Sequence, residues 1–461
     1  MKKIKIGFLP LYIKLYDDLI PTLRDRLDPF YEKIAGRLVA EGFEVIRTPF
    51  CRVEEEFKTA VRKYEEENAD CIVTLHMAYS PSLESEKALA ETALPIVVLD
   101  TTETFAFGPD QDPAEINFNH GIHGVMDMCN LLRRNGKKYA IAAGHDEKSD
   151  VIAQTAQLVK AAAAAKALRG SRVGVFGGGF KGMGDFAVTA DELQDRFGVT
   201  LIESDPEEMK TLAASVSKEE ITAEQQADKE IFDFPEELHE KNYAVNTRAC
   251  LTMRKWIEKQ NLSAFSANFL QITEANGLGS MPFTEACKAM QRGIGYAGEG
   301  DALNAALSGA LLQGFKDASF VEIFCPDWEN DTLMISHMGE MNYDLAAKKP
   351  ELRNVSFNYT DAAPPVVGYA KFRAGNAVYA NVYRDETGYN MLVTPVEMLE
   401  AENDGFRYSI RGWMKPDMKI ADFLKNLSQL GATHHSLLVY DTTPEAIAYF
   451  GELLGMKIYR I

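Results

Sequence analysis

Through about residue 316 the chain alternates short apolar runs with helix-length segments of mixed polarity, and this rhythm constrains its fold more than any other feature. IKIGFL, FEVIRTPF, ADCIVTLH, LPIVVLD and YAIAAG read as strands, with helix-like stretches such as Leu23–Glu41 and Val53–Glu67 between them. Strands separated by helices must pair in parallel through crossovers, which makes βαβ units. The pattern restarts after an Ala-rich helix, Val159–Leu168, with SRVGVF and then GVTLIESD. From about residue 317 the helices give way to closely spaced strand-like runs: VEIFC, TLMISH, VVGYAKFRA, AVYANVYRD, YNMLVTPVEML and FRYSIRGWM. Such spacing suggests an antiparallel sheet or barrel, with the tail from Ile420 packing back on it. The expected fold is two doubly wound parallel-sheet α/β domains, 1–169 and 170–316, followed by a β-rich, barrel-like C-terminal domain, 317–461.

A chain of 461 residues is too long for a single core. A net charge of −19 leaves no excess of Lys and Arg for phosphates, which argues against a nucleic-acid partner. The six cysteines are scattered without a C-x-x-C pair, which suggests free thiols in a reducing compartment. The basic N-terminus MKKIKIGFLPLY has too short an apolar run for a signal peptide, and no run approaches the roughly 18–20 apolar residues of a membrane span. A cytoplasmic location is the expectation.

Chemistry-bearing residues concentrate between Arg292 and Glu340. Glu299 lies in a Gly-rich turn, GIGYAGEGD, that feeds a helix-like run from Asp301 to Leu312. Glu322 falls inside one apolar strand-like run and His337 closes another. Side chains on a turn and on two strands can converge at one end of a sheet, where α/β proteins place ligands. Two carboxylates and an imidazole suit Mn²⁺, Co²⁺ or Mg²⁺ better than a thiolate site does. Read singly, each Glu also fits a solvated surface charge and the His a hydrogen-bonded core residue.

A competing motif is Gly177–Gly182, which follows the strand RVGVF as G-x-G-x-x-G, with Glu203 ending the next strand. That order fits a dinucleotide site and hence an NAD(P)-dependent oxidoreductase. The β-branched pair Val188-Thr189 interrupts the helix such a site needs, and tight turns at positive φ explain the glycines equally well. In NFNHGIHG, His120 and His123 could contact a polyol, or His123 could cap a helix. His434 and His435 are adjacent, so on a strand they would face opposite sides and only one would meet a metal. His145 and His239 sit in polar surroundings and are expected to face solvent.

The turn GIGYAGEGD resembles that of the L-arabinose isomerase family, which carries a similar Gly-rich turn around a catalytic Glu. The likeness continues at Ser319–Glu322, at His337-Met338 with Glu340, at Trp413–Pro416 and at Gly431–His435. Upstream it takes in His76 with Ser80-Pro81, Asn117-Phe118-Asn119 with His123-Gly124, Gly144-His145 and Phe186–Thr189. It implies a divalent metal, Mn²⁺ favoured, held by Glu299, Glu322, His337 and His435, with Glu299 and Glu322 as the catalytic pair of an aldose–ketose isomerase. It also implies substrate contacts at His120, His123, Met183 and Tyr12, and a trimer or hexamer whose sites lie at subunit interfaces. The family's Gly-Ser-Gln-x-Leu-Tyr segment is replaced here by FLPLYIKLYD, and His120 stands where the family has Gln. Beside this reading stands a sugar-binding protein of the same fold without turnover.

Overall fold

The computed structural model describes residues 3–402 and 404–461. The chain divides into two compact units, one running to Lys166 and the other from Ala167 to Ile461.

The first unit is a five-stranded parallel sheet made of β1 (Lys5–Leu11), β2 (Glu44–Arg47), β3 (Cys71–His76), β4 (Ile96–Asp100) and β5 (Tyr139–Ala143), in the order β2-β1-β3-β4-β5. Every residue of β3 is buried, as expected of a central parallel strand covered on both faces. Leu9, Ile72, Ile96 and Val98 pack with helix residues Phe57, Tyr64, Leu89 and Met128 in one core. Gly7 allows that packing, because a Cβ there would meet the Tyr64 ring at 2.4 Å.

The second unit begins with a four-stranded parallel sheet of β6 (Arg172–Phe176), β7 (Thr200–Glu203), β8 (Ala264–Ala267) and β9 (Gly295–Gly298), in the order β7-β6-β8-β9. It continues into β10 (Ala318–Asp327), β11 (Thr332–His337), β12 (Glu351–Asn354), β13 (Val366–Tyr369), β14 (Gly375–Asp385), β15 (Gly388–Met398), β16 (Ile410–Pro416), β17 (His435–Tyr440) and β18 (Lys457–Arg460). Six of these close an antiparallel barrel, β14-β17-β10-β11-β16-β15, completed by the β14–β15 pairing; β18 adds to β15 in parallel. The helix Ala302–Phe315 touches β8 and β9 on one side and β10 and β17 on the other. It is apolar around nearly its whole circumference, as a helix buried between two sheets must be.

Two strand expectations are corrected. VVGYAKFRA does not enter the barrel; its first four residues pair with β12 in a separate two-stranded sheet, and the chain then leaves the strand conformation. HSLLVY, read as part of a tail, is instead a barrel strand between β14 and β10, buried at every position. Its Leu-Leu-Val-Tyr run and its burial at every position mark a strand covered on both faces. Among the described residues no helix is long and apolar enough to cross a membrane.

Candidate metal centre

Sheet register brings most of the centre together. On β10, Glu322 stands directly opposite His435 of β17 and opposite Ser336 of β11, one residue before His337. Cross-strand neighbours lie close enough for their side chains to meet. A register shift between Ile323 and Cys325 then ends the regular pairing just past Glu322, a device that re-aims strands near sites.

Glu299 comes from the parallel sheet, in the turn between β9 and the helix Ala302–Phe315, with φ +56°. A non-glycine residue in the left-handed region persists only where its surroundings hold it. Here Phe180 N donates to Glu299 O at 2.8 Å, and Ser266 Oγ accepts from Gly300 N at 2.8 Å while donating to Ala297 O at 2.7 Å. Two glycines are dictated by space. A Cβ on Gly300 (φ +86°) would strike Gly178 O at 2.3 Å, and one on Gly298 would crowd the His337 ring at 3.0 Å.

The four side chains converge. His435 Nε2 lies 3.1 Å from Glu299 Oε2 and 3.2 Å from Glu322 Oε1; His337 Nε2 lies 3.2 Å from Glu322 Oε1 and 3.6 Å from Glu299 Oε1. Both imidazoles are buried. Each has its far nitrogen on a carboxylate: His337 Nδ1 on Glu340 at 2.5 Å, His435 Nδ1 on Asp301 at 2.8 Å. An ionised carboxylate only accepts, so Nδ1 carries a proton, and Nε2 is the nitrogen left to face the two glutamates. That carboxylate–histidine arrangement orients metal-ligating histidines. Both supports are themselves fixed: Tyr296 Oη donates to Glu340 at 2.5 Å, and Asp301 caps the following helix by accepting from Asn304 N at 2.9 Å. Phe320 packs edge-on against both imidazoles, and Phe186 stacks on His435 at 4.6 Å.

The donor set fits a divalent cation. Glu299 Oε2 and His435 Nε2 are buried without a hydrogen-bond partner although they lie 3.1 Å apart. Buried polar atoms are otherwise almost always satisfied, so two orphans facing each other indicate a missing common partner. Glu299, Glu322 and His337 bring one ligand atom each within 4.8 Å of one another. A mixed oxygen and imidazole set without thiolate suits a divalent metal cation.

Electrostatics agree. Burial works against charge on Glu322, but the close imidazoles of His337 and His435 outweigh it and hold the carboxyl at about 2. Glu299 is lowered further by the same opposition of causes. Burial likewise disfavours charge on His435, yet Asp301, Glu299 and Glu322 push it up to about 11; His337 is raised well above the usual range against burial by Glu340 and the same two glutamates. The pocket thus concentrates negative charge that only cations relieve.

The remaining residues fall elsewhere. Met183 is half-buried and walls a cavity of about 250 Å³ with Gly178, Phe180 and Glu203. In the first unit, His120 Nε2 lies 2.9 Å from Tyr16 Oη, its ring 5.9 Å from that of His123. His123 is exposed in the first turn of the helix Gly121–Arg134, and Tyr12 is fully buried with its hydroxyl unpartnered.

The Gly177–Gly182 loop is not followed by a helix: residues 183–189 are irregular, and the next helix starts at Ala190, capped by Thr189. Gly177, Gly178 and Gly182 adopt positive φ, and the loop braces the Glu299 turn through Phe180. The opposite-face expectation for the paired histidines is also corrected. β17 starts at His435, so His434 lies outside the strand and escapes its alternation. Its ring sits 4.3 Å from that of His435, within reach of Glu322, and its Nδ1 meets Asp185 at 2.7 Å. His145 is half-buried with Nε2 3.2 Å from Glu103 O, whereas His239 is exposed. Asp301, Glu340 and Phe186 are the partners that the sequence pattern did not assign; His-x-x-Glu at 337–340 and the capping position of Asp301 were the available signals.

Comparison with known proteins gives this geometry its context. A family model of the L-arabinose isomerase central domain matches residues 175–313, and one of the L-arabinose isomerase C-terminal domain matches 317–457. The chain is 24% identical over 462 residues to the L-arabinose isomerase of Shouchella clausii, covering 98% of this chain and 92% of that protein. It is 26% identical over 365 residues to the L-arabinose isomerase of Herpetosiphon aurantiacus, covering 75% and 71%. For that of Geobacillus kaustophilus the figures are 23% over 434 residues, covering 90% and 84%. With this fold and matches spanning the unit that holds the centre, the chain belongs to the L-arabinose isomerase family and is an isomerase of the aldose–ketose class.

Proposed function

We propose that the chain interconverts an open-chain aldose and its ketose at a divalent metal held by Glu299, Glu322, His337 and His435. The observation that carries the proposal is the convergence of two carboxylates and two carboxylate-supported imidazoles on one point, with facing orphan atoms. Mn²⁺ is the favoured metal; when bound it supplies Lewis-acid stabilisation of charge on the sugar oxygens and a template for the sugar's C1–C2 end.

The protein's own groups perform the proton work. One of Glu299 and Glu322 takes the C2 proton of the aldose while O1 gains a proton, which gives a cis-enediol; return of a proton to C1 and loss of one from O2 gives the ketose. Both carboxyls are ionised at neutral pH, so either can begin as base. Glu340 and Asp301 keep the imidazoles oriented, and the Phe320 and Phe186 rings keep that wall apolar.

The relatives' name makes L-arabinose the first substrate to test. The same reading includes three domains bounded near residues 169 and 316, substrate contacts from His120, His123, Met183 and Tyr12, a trimer or hexamer, and a cytoplasmic location. The test is ketose formation from aldopentoses, aldohexoses and 6-deoxy sugars by EDTA-treated protein with and without Mn²⁺. Conversion restored by metal supports the proposal; a sugar that binds with metal present but never converts would favour a binding role.

A further inference from the structure

Two sets of side chains can hold a cation here, and they overlap. Glu299, Glu322 and His337 form an inner set; Glu322, His434 and His435 form an outer one, each residue again offering a ligand atom within 4.8 Å of the others. Cation–ligand bonds of roughly 2.0–2.6 Å let the donors of one ion stand about 4–5 Å apart. The sets differ in depth. Glu299 is 9% exposed and His337 5%, whereas the His434 side chain is 41% exposed.

His434 is held in place before any ligand arrives. Its backbone N–H and its Nδ1 both meet Asp185 Oδ2, at 3.0 and 2.7 Å, and its ring lies 4.3 Å from that of His435 and 5.7 Å from Phe186. Engagement of Nδ1 leaves Nε2 as the nitrogen available to a cation. Carboxylates orient His337 and His435 in the same way. An exposed ion pair contributes little to stability, so stability alone is a weak reason for a third such pair beside the first two.

The two sets cannot be filled together. His435 Nδ1 is engaged by Asp301, so Nε2 is its one nitrogen for either set, and it already faces Glu299 and Glu322. Nor does His434 fit as a permanent further ligand inside. With Glu299, Glu322, His337 and His435 in place, an octahedral cation keeps only the places that the sugar's C1–C2 end takes. The overlap is therefore that of two stations for one ion. We propose that Glu322, His434 and His435 form an outer station, where a divalent cation is captured from solvent before it passes to the inner set. Glu322 and His435 stay bonded during the transfer while Glu299 and His337 take the place of His434 and water. Removing charge from water is costly, and two stations let that water leave in stages. The outer station presupposes the metal-centred reading above. Entry and release share one path, so losing the station slows both and leaves the equilibrium nearly unchanged.

The test is Mn²⁺ kinetics on the full-length, EDTA-treated protein, comparing wild type with His434→Phe, which keeps a ring, and His434→Ala, which leaves the path open. Rapid-mixing electron paramagnetic resonance follows uptake as loss of the free Mn²⁺ signal, and transfer to an excess of metal-binding dye follows release. The expected result is a single Mn²⁺ per chain, an equilibrium affinity close to wild type in both variants, and uptake and release both slowed several-fold. Unchanged rates in His434→Ala overturn the outer station even where His434→Phe is slow, because a bulky ring can block a path that His434 does not serve. A second Mn²⁺ per chain overturns it by making the sets separate sites. Faster release with weakened affinity overturns it by making His434 a ligand of the final position. A wild type that takes up no Mn²⁺ overturns the metal-centred reading and the outer station with it.

Discussion

Glu322 and His435 face each other across adjacent antiparallel strands, with Oε1 and Nε2 3.2 Å apart. Because strand register sets that pairing, the centre inherits its precision from the barrel rather than from a loop. Glu322→Gln keeps the side-chain volume and removes the charge. Turnover is expected to fall about 10²–10⁴-fold, the usual contribution of a positioned acid or base. Steady-state ketose formation at saturating Mn²⁺ measures it, and near wild-type turnover would remove Glu322 from the reaction.

The supporting carboxylates give a separate readout. Asp301→Asn and Glu340→Gln weaken the hold on Nδ1 of His435 and His337. Metal affinity is expected to drop about 10–100-fold in each, measured by Mn²⁺ titration under electron paramagnetic resonance. Unchanged affinity in both would mean the hydrogen bonds serve packing alone.

Protons must leave when metal enters. In the metal-free centre the imidazoles hold protons because the surrounding carboxylates raise their pKa values, that of His435 to about 11. Metal binding requires neutral imidazoles, so about one to two protons should be released per metal near neutral pH, and affinity should rise with pH. Titration in weakly buffered solution counts them. Binding without proton release would contradict the ligand set.

Gly300 links backbone to site. Its φ is +86° and a Cβ added there would stand only 2.3 Å from Gly178 O, so Gly300→Ala must shift the turn that presents Glu299. A stability loss of about 1–3 kcal/mol is expected, together with weakened Mn²⁺ binding. Thermal unfolding and metal titration of one preparation test it, and a variant unaltered in both would show that the turn has room to give.

Acid sensitivity has a source outside the centre. Glu224 meets Arg254 at 2.8 Å through both oxygens and Lys288 at 2.7 Å. Burial opposes its ionisation, but these cations hold the carboxyl at about 2 against an ordinary 4.5. A folded-state pKa below the unfolded one stabilises fully above about pH 4.5, and that stability is lost as pH falls from there through about 2. Glu224→Gln should therefore be less stable at neutral pH, by at most about 3 kcal/mol, with a flatter acid limb. Parallel urea midpoints for both proteins across that window would contradict it.

The βα rhythm and the change near residue 317 made the fold class legible, since helix and strand periods differ and parallel pairing demands crossovers. Glu299, Glu322 and His337 stood out because each flanks an element end. Their convergence with His435 was not legible from pattern alone, because it depends on barrel register across more than a hundred residues. The same distance hid Asp301 as the partner of His435, while its helix-capping role was local and readable. The glycines after β6 misled for a physical reason: positive φ serves both a phosphate loop and a brace for a neighbouring turn, and only the structure shows Phe180 holding Glu299.

The most direct measurement compares EDTA-treated wild type with His435→Ala for Mn²⁺ binding and ketose formation from L-arabinose and the wider sugar panel. The expected result is that Mn²⁺ restores conversion of at least one sugar in the wild type, while His435→Ala binds the metal far more weakly and does not convert that sugar. Wild-type conversion that is indifferent to metal, or a His435→Ala protein that binds Mn²⁺ and turns over normally, would contradict the metal-centred isomerase.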